Sequence, residues 1–232
     1  MSEHFTIELA HVDDVPALMD IVIPCFAHIP VEQLFGNVDT PEGRGAAGKR
    51  HLRAWGDHAA ESTQHPAIKC VHTDPDTGQG TIVGFAEWFV YEIPGPIEKY
   101  DGGHYLIRGA WLSEENGERA KAQSWMKPVY DARKKWLGGR RHAVLMYMCV
   151  EKTWRRRGAA TMSIQWGLDR CRELGIPAWL EASEDGEPGY RRCGFEEVEK
   201  VEMDFDGEKG VFPAMMWWPP GYAEADKRPV LT

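Results

Sequence analysis

The stretch Ala143 to Ala160 reads AVLMYMCVEKTWRRRGAA, and it decides the fold. Its first part, Ala143 to Val150, is apolar enough to form a fully buried strand. Three arginines, a glycine and two alanines follow, and then the apolar residues Ile164, Leu168 and Cys171 recur at helical spacing. The stretch therefore predicts a buried strand, a loop that contains a glycine, and a helix.

The loop Arg155 to Ala160 is a candidate anion site on physical grounds alone. The first amides of a helix have no acceptor within the helix and carry the positive end of its dipole. Gly158 and the two alanines let a ligand approach the backbone closely. A phosphate is the natural occupant of such a site. The alternative interpretation is that Arg155 to Arg157 form a solvated basic surface, as most charge runs do.

Strand and helix patterns also precede this stretch. Asp13 or Asp14 is expected to cap the first helix, and the segment Ile29 to Gly48 is rich in proline and glycine. Turn residues between two β-rich runs predict a hairpin. The predicted elements are a strand over 6–12, a helix over 15–26, a helix around 52–59, and hairpin strands over 68–72 and 81–91.

The remaining segments complete a single domain over residues 1–232. Residues 93–117 are read as an irregular insertion, because they contain Pro-Gly-Pro and Asp-Gly-Gly. A helix is expected over 118–137, with a kink or break at Pro128. The last predicted elements are a strand over 177–183, a short helix near 190–193, and strands over 195–205 and 211–217.

Composition excludes several classes of protein. The chain has 232 residues, of which 43% are hydrophobic and 27% charged, as in folded soluble proteins. No apolar run approaches the roughly 20 residues that span a bilayer, and the N-terminus has no export signal, so we expect neither membrane insertion nor secretion. The formal net charge of −9 disfavours nucleic acid as a partner.

The cysteines and histidines favour the cytoplasm and argue against a metal site. Five cysteines are scattered without a C-x-x-C pair, which is untypical of a disulfide scaffold or a zinc site. His51 and His58 are seven residues apart on one candidate helix, but no third ligand lies at metal spacing. No metal is therefore expected.

The sequence from Arg155 to Ala160 resembles the signature of the GNAT superfamily of acyl-coenzyme A dependent acyltransferases: Gln or Arg, any two residues, Gly, any residue, then Gly or Ala. The segments LEAS, ending at Ser183, and YRRCGF, starting at Tyr190, follow at the spacing of that family. The resemblance is clear over 144–198 and is strongest to variants common in fungi. The sequence departs from the family at two places: Lys152 stands where a proline is frequent, and residues 93–117 form an insertion. These departures leave the identity of the acceptor substrate open.

The resemblance implies an α+β fold with α/β/α layers. Its sheet would be mixed and mostly antiparallel, with six to seven strands, a splayed central pair and helices on both faces. The implied activity is transfer of an acetyl group from acetyl-coenzyme A to a primary amine by direct attack in a ternary complex. The expected partner is an amine-bearing small molecule, and the oligomeric state stays open. A non-catalytic acyl-coenzyme A sensor or interaction domain is the alternative.

The resemblance also assigns cofactor contacts. The amides of Arg157, Gly158, Ala159 and Ala160 are expected to bind the pyrophosphate, and the neighbouring arginines, including Arg155 and Arg156, supply positive charge. Further contacts are implied for the backbone of Cys149 and Val150, which would pair with the pantetheine like an added strand. Ser183 is placed to touch the cofactor, although a serine after a strand is also a common turn former.

Three residues are catalytic candidates. An amine must lose its proton before it attacks, so a base is needed, and a carboxyl group among apolar neighbours is suited to that work. Glu87 and Glu181 are the candidate bases, each with a structural role as the alternative. Tyr190 is the candidate acid that protonates the departing thiolate, and a packing tyrosine is the alternative there.

Overall fold

A computed structural model describes residues 4–27, 29–30, 34–52, 65–94 and 112–230. The strands are β1 (Phe5–Leu9), β2 (Ala67–Thr73), β3 (Gly80–Tyr91), β4 (His142–Val150), β5 (Ala178–Glu181), β6 (Glu196–Phe205) and β7 (Glu208–Trp217). The helices are α1 (Val15–Cys25), α2 (Pro41–His51), α3 (Glu118–Leu137), α4 (Ala159–Leu174) and α5 (Glu187–Arg192). Residues 95–111 of the predicted insertion and residues 53–59 of the predicted second helix lie outside the described residues.

The strands form one mixed sheet in the order β1-β2-β3-β4-β5-β7-β6. Antiparallel pairing joins β1 to β2, β2 to β3, β5 to β7 and β6 to β7. The β4–β5 pair is parallel, and its register covers only Ala143 with Ala178 and Val144 with Trp179. The predicted α+β class with a seven-stranded, mostly antiparallel sheet is confirmed. Among the described residues, no helix has the length and apolar character needed to cross a membrane.

The chain divides into two compact units. The first contains Met1–Trp88 and Leu145–Leu168, which include α1, α2 and most of α4. The second contains Phe89–Val144 and Asp169–Thr232, which include α3, α5 and the β6–β7 hairpin. In the first unit, the buried residues Cys70, Val83, Val150 and Ala159 form a cluster at the end of β4.

Helix α2 corrects the expectation of an irregular segment up to Gly48. Thr40 caps this helix by accepting a hydrogen bond from the Gly43 amide at 3.0 Å, and Pro41 follows in the first turn. A Cβ at Gly48 would lie 2.5 Å from Cγ1 of Val15, so this glycine lets α2 pack closely on α1. Tertiary packing therefore outweighs the low helix propensity of the glycines.

The first cap and the proline of α3 agree with the predictions only in part. Asp14 stands at the N-cap position of α1, as predicted, but its side chain makes no capping hydrogen bond to this helix. It accepts a hydrogen bond from the His11 amide at 2.7 Å instead, and His11 caps a 3-10 turn over Val12–Asp14. Pro128 does not break α3, which continues from Glu118 to Leu137.

Gly167 of α4 lets this helix approach the indole of Trp88 on β3. A Cβ at Gly167 would lie 2.0 Å from Cε2 of Trp88, and Trp88 is fully buried. We expect Gly167→Ala to destabilise the protein by about 1–3 kcal/mol through overpacking. Urea denaturation measures this change.

The control is Gly45→Ala in α2, where nothing lies within 4 Å of the added methyl group. Alanine is the better helix former there, so this variant should be neutral or slightly stabilising. Equal stability of Gly167→Ala and the wild type would contradict the packing described for α4.

Candidate active site

The loop after β4 is fixed at its start by neighbouring strands. The amide of Glu151 donates to the carbonyl of Val83 at 2.9 Å. A Cβ at Gly84 would lie 3.2 Å from the carbonyl oxygen of Cys149, so β3 and β4 approach each other closely here. The carboxylate of Glu151 accepts a hydrogen bond from the Thr153 amide at 3.0 Å and caps the 3-10 turn Lys152–Trp154. The loop is thus held before the arginines begin.

The turn into α4 uses two residues with positive φ. Arg156 has φ 63° and Gly158 has φ 103°. The first hydrogen bond of the helix runs from the Met162 amide to the Gly158 carbonyl, at 3.0 Å. The amides just before Met162 therefore have no acceptor within the helix. No atom lies within 4 Å of the Cβ position of Gly158. The helix therefore begins with amides beside open space, an arrangement that suits an anion.

Three exposed guanidinium groups add positive charge to this loop. Arg155 donates from Nε to the Val150 carbonyl at 3.2 Å, which ties its side chain to the end of β4. Arg157 lies 5.0 Å from the ring centroid of Trp154, within cation–π range. The predicted cofactor contacts Cys149, Val150 and Arg155 to Ala160 are consecutive parts of one strand, loop and helix in the first unit.

Glu87 belongs to the same unit and is fully buried in β3. Its neighbour across the antiparallel β2–β3 pair is Ala67. Phe85 and Trp88, which lie close to Glu87 in sequence, are also fully buried. A fully buried carboxylate is unusual for a structural strand residue and is a candidate for chemistry.

The second candidate base, Glu181, is held in an ion pair within the second unit. Arg133 of α3 donates to both carboxylate oxygens, at 2.8 and 2.6 Å, and Trp179 Nε1 donates at 2.5 Å. The two charged side chains are only 5% and 13% exposed. A bidentate, buried pair of this kind joins α3 to β5 and favours the structural reading of Glu181.

Ser183 and Tyr190 come together around Gly186 in the second unit. The Gly186 amide contacts the Ser183 hydroxyl oxygen at 3.2 Å and donates to the Ser183 carbonyl at 3.0 Å, as in a turn before α5. A Cβ at Gly186 would lie 2.9 Å from the Tyr190 ring. Tyr190 is partly exposed and packs edge-on against Phe195, with 6.0 Å between ring centroids.

Two residues of interest escaped the sequence reasoning. Arg133 follows Trp125 and Val129 at intervals of four on the apolar side of α3, and a charged residue on such a side is a signal for a buried pair. The second is Cys25, whose position relative to Leu18 and Val22 places it on the core side of α1. Among the described residues, no group of three His, Cys, Asp or Glu side chains could hold a metal ion.

Comparison with known families identifies a match over most of the chain. A sequence profile described as the acetyltransferase (GNAT) family matches residues 38–195, which include the loop Arg155 to Ala160. No curated protein sequence matches the chain significantly.

Solved structures share the fold at low sequence identity. A structure described as histone acetyltransferase HPA2 and related acetyltransferase from Corynebacterium glutamicum has a TM-score of 0.57 and 20% identity, over 97% of this chain and 99% of that one. NAA60 of Arabidopsis thaliana, in complex with a bisubstrate analogue, has a TM-score of 0.52 and 12% identity, over 94% and 99%.

A third structure is yncA from Salmonella typhimurium, a putative acetyltransferase with its cofactor acetyl-CoA. Its TM-score is 0.51 and its identity 13%, over 95% of this chain and 96% of that one. These structures are bacterial and plant proteins, so the resemblance to fungal variants stays a prediction.

Proposed function

The chain belongs to the acetyltransferase (GNAT) family, and we propose that it transfers the acetyl group of acetyl-coenzyme A to a primary amine by direct attack in a ternary complex. The observation that carries this proposal is the start of α4, where three exposed arginines come directly before Gly158 and the first amides of the helix, beside open space. The Salmonella protein of the same fold, solved with its cofactor acetyl-CoA, supports the choice of donor.

In this proposal, the loop binds the diphosphate of the donor substrate. The amides from Arg157 to Ala160 donate to the phosphate oxygens, and the guanidinium groups of Arg155 and Arg156 balance their charge. The backbone of Cys149 and Val150 pairs with the pantetheine arm. Ser183 is proposed as a further contact, and its bonds to Gly186 support a turn-forming role beside it.

The amine must be neutral to attack, because an alkylammonium has a pKa of about 10.4 and no lone pair. We assign the base role to Glu87 in preference to Glu181. Both carboxylate oxygens of Glu181 accept hydrogen bonds from Arg133, at 2.8 and 2.6 Å, so this carboxylate is already engaged in a buried ion pair. Glu87 is fully buried on β3, in the same unit as the loop Arg155 to Ala160.

Tyr190 is the proposed acid for the departing thiolate. A phenol with an ordinary pKa of about 10 stays protonated at neutral pH and can donate to a developing thiolate. The ring is held by Phe195 and by the close approach of Gly186, while the residue as a whole is partly exposed. A ring that is held in place on a partly exposed residue suits proton donation.

Tyr190→Phe tests this role, because it keeps the ring and removes only the hydroxyl group. We expect kcat to fall roughly ten- to a thousandfold with nearly unchanged affinity for acetyl-coenzyme A. Pre-steady-state kinetics should be used so that chemistry limits the rate. Tyr222→Phe, a change at a tyrosine that packs on Trp218, is the matched control and should keep its activity. Wild-type kcat in Tyr190→Phe would remove this residue from the mechanism.

The activity itself is tested by measuring release of free thiol from acetyl-coenzyme A across a panel of amines. The panel should contain small alkylamines, amino acids, polyamines, aminoglycosides and a lysine peptide, with the donor alone as the background. Acetylated product confirmed by mass spectrometry would support the proposal. Tight binding of acetyl-coenzyme A by calorimetry without turnover of any amine would favour the alternative, a sensor or interaction domain that retains only the cofactor site.

A further inference from the structure

The thiol of Cys25, the last residue of α1, lies against the end of β4. Its Sγ is 3.7 Å from the carbonyl oxygen of Val150, and Nη2 of Arg155 is 3.6 Å from the same sulfur. Cys149 also hydrogen-bonds with Cys25 through its thiol. One sulfur is thus surrounded by a guanidinium group, a backbone carbonyl and a second thiol, all within the first unit.

These contacts separate the ionisation of the two cysteines. The hydrogen bond from Cys149 and the neighbouring Arg155 lower the pKa of the Cys25 thiol from 9.0 to about 6, although burial opposes this change. The hydrogen bond to Cys25 and complete burial raise the pKa of Cys149 well above 9.0. Cys25 is therefore the more acidic thiol of the two and Cys149 the one that keeps its proton, the division of roles found in reactive cysteine pairs.

The other cysteines lack this environment. Burial raises the pKa of Cys70 to about 11 and that of Cys171 to about 12. Cys193 is partly exposed like Cys25, but burial raises its pKa as well. Of the five cysteines, all of which the structure describes, Cys25 alone combines partial exposure with a cationic neighbour in contact with its sulfur.

We propose that Cys25 is a modification site for hydroperoxides, at which oxidation is completed by a disulfide with Cys149. The Cys25 thiolate attacks the distal peroxide oxygen, the O–O bond breaks, and the alkoxide or hydroxide that leaves takes up a proton. The sulfur is oxidised to a sulfenic acid, and the peroxide is reduced to an alcohol or water. The Cys149 sulfur then attacks the sulfenic sulfur, an S–S bond forms, and the thiol proton leaves with the hydroxyl group as water.

The position of the pair gives the oxidation a local consequence. The disulfide would join the end of α1 to β4, beside the loop that starts with Arg155, and would remove the thiolate next to this guanidinium group. The Cys149 thiol is hydrogen-bonded to Cys25, so the two sulfurs that would form the S–S bond of about 2.05 Å are neighbours. The proposal does not depend on acetyl transfer, and its test uses no activity readout.

The test is oxidation of the full-length protein with an equimolar amount of hydrogen peroxide at pH 7, followed by blocking of free thiols and peptide mapping. We expect a peptide pair that joins Cys25 to Cys149 and has lost two hydrogen atoms. Cys25 should also react with iodoacetamide at least about tenfold faster than Cys193, because alkylation requires the thiolate. Cys193→Ser is the matched control and should leave the cross-link unchanged.

Two variants separate the roles of the pair. Cys149→Ser should yield Cys25 sulfenic acid, trapped by dimedone, and no cross-link, whereas Cys25→Ser should yield neither. A disulfide between other cysteines, or faster alkylation of Cys193 than of Cys25 in the wild type, would overturn the proposal. The wild-type mapping decides the question even where a variant fails to fold.

Discussion

Gly158→Asp is expected to weaken acetyl-coenzyme A binding by roughly two to three decades while the chain stays folded. The new carboxylate would stand at the start of α4, where the helix dipole and the arginines favour a negative ligand. Two unit charges about 4 Å apart repel by up to about 4 kcal/mol near a protein surface, and each 1.4 kcal/mol changes a dissociation constant about tenfold. Isothermal titration calorimetry measures the loss.

The effect of the new charge on affinity must be separated from the effect of backbone strain, because Gly158 has φ 103° and any side chain there is strained. Gly158→Asn has nearly the same size and strain but no charge, so it should retain much more affinity than Gly158→Asp. Gly207→Asp introduces the same side chain at φ 95° in the β6–β7 turn, where nothing lies within 4 Å, and should bind the donor normally. Unchanged affinity in a folded Gly158→Asp variant would reject this loop as the diphosphate site.

The strand, loop and helix of residues 143–160 could be predicted because their signals are local. These signals are an apolar run, a loop rich in arginine and glycine, and helical spacing from Ile164 onward. Each signal lies within the element that it predicts. The same holds for the β6–β7 hairpin, whose predicted strands differ from the observed ones by at most three residues at each end. The positive φ of Gly158 follows the same local logic of a turn into a helix.

Features that depend on distant contacts were not predictable in this way. Helix α2 carries three glycines, and Gly48 is favourable only because Val15 and Met19 of α1 lie where a side chain would be. The pairing of Arg133 with Glu181 joins positions 48 apart in sequence. The contact of Cys25 with Arg155 spans 130 positions. The sequence around a single residue gives only a weak signal for such a contact, because the fold determines which distant residue becomes its partner.

Glu87→Gln is expected to lower the rate of acetyl transfer by roughly 10² to 10⁴ while leaving the affinity for acetyl-coenzyme A nearly intact. Glutamine has nearly the same shape as glutamate but cannot take a proton from the amine. The decrease in rate on the acidic side of the pH profile should therefore flatten in the variant. Single-turnover kinetics over a pH series measure both effects.

The matched control is Glu181→Gln, because the two candidate bases differ in their surroundings. Loss of the Glu181 charge leaves Arg133 buried without its ion-pair partner, which costs up to about 3–5 kcal/mol of stability. We therefore expect Glu181→Gln to lower the melting temperature and to keep most of kcat in the folded fraction. Glu87→Gln should show the opposite, a large loss of kcat with a smaller change in stability. A loss below tenfold for Glu87→Gln would assign proton removal to a water relay or to an amine that arrives neutral.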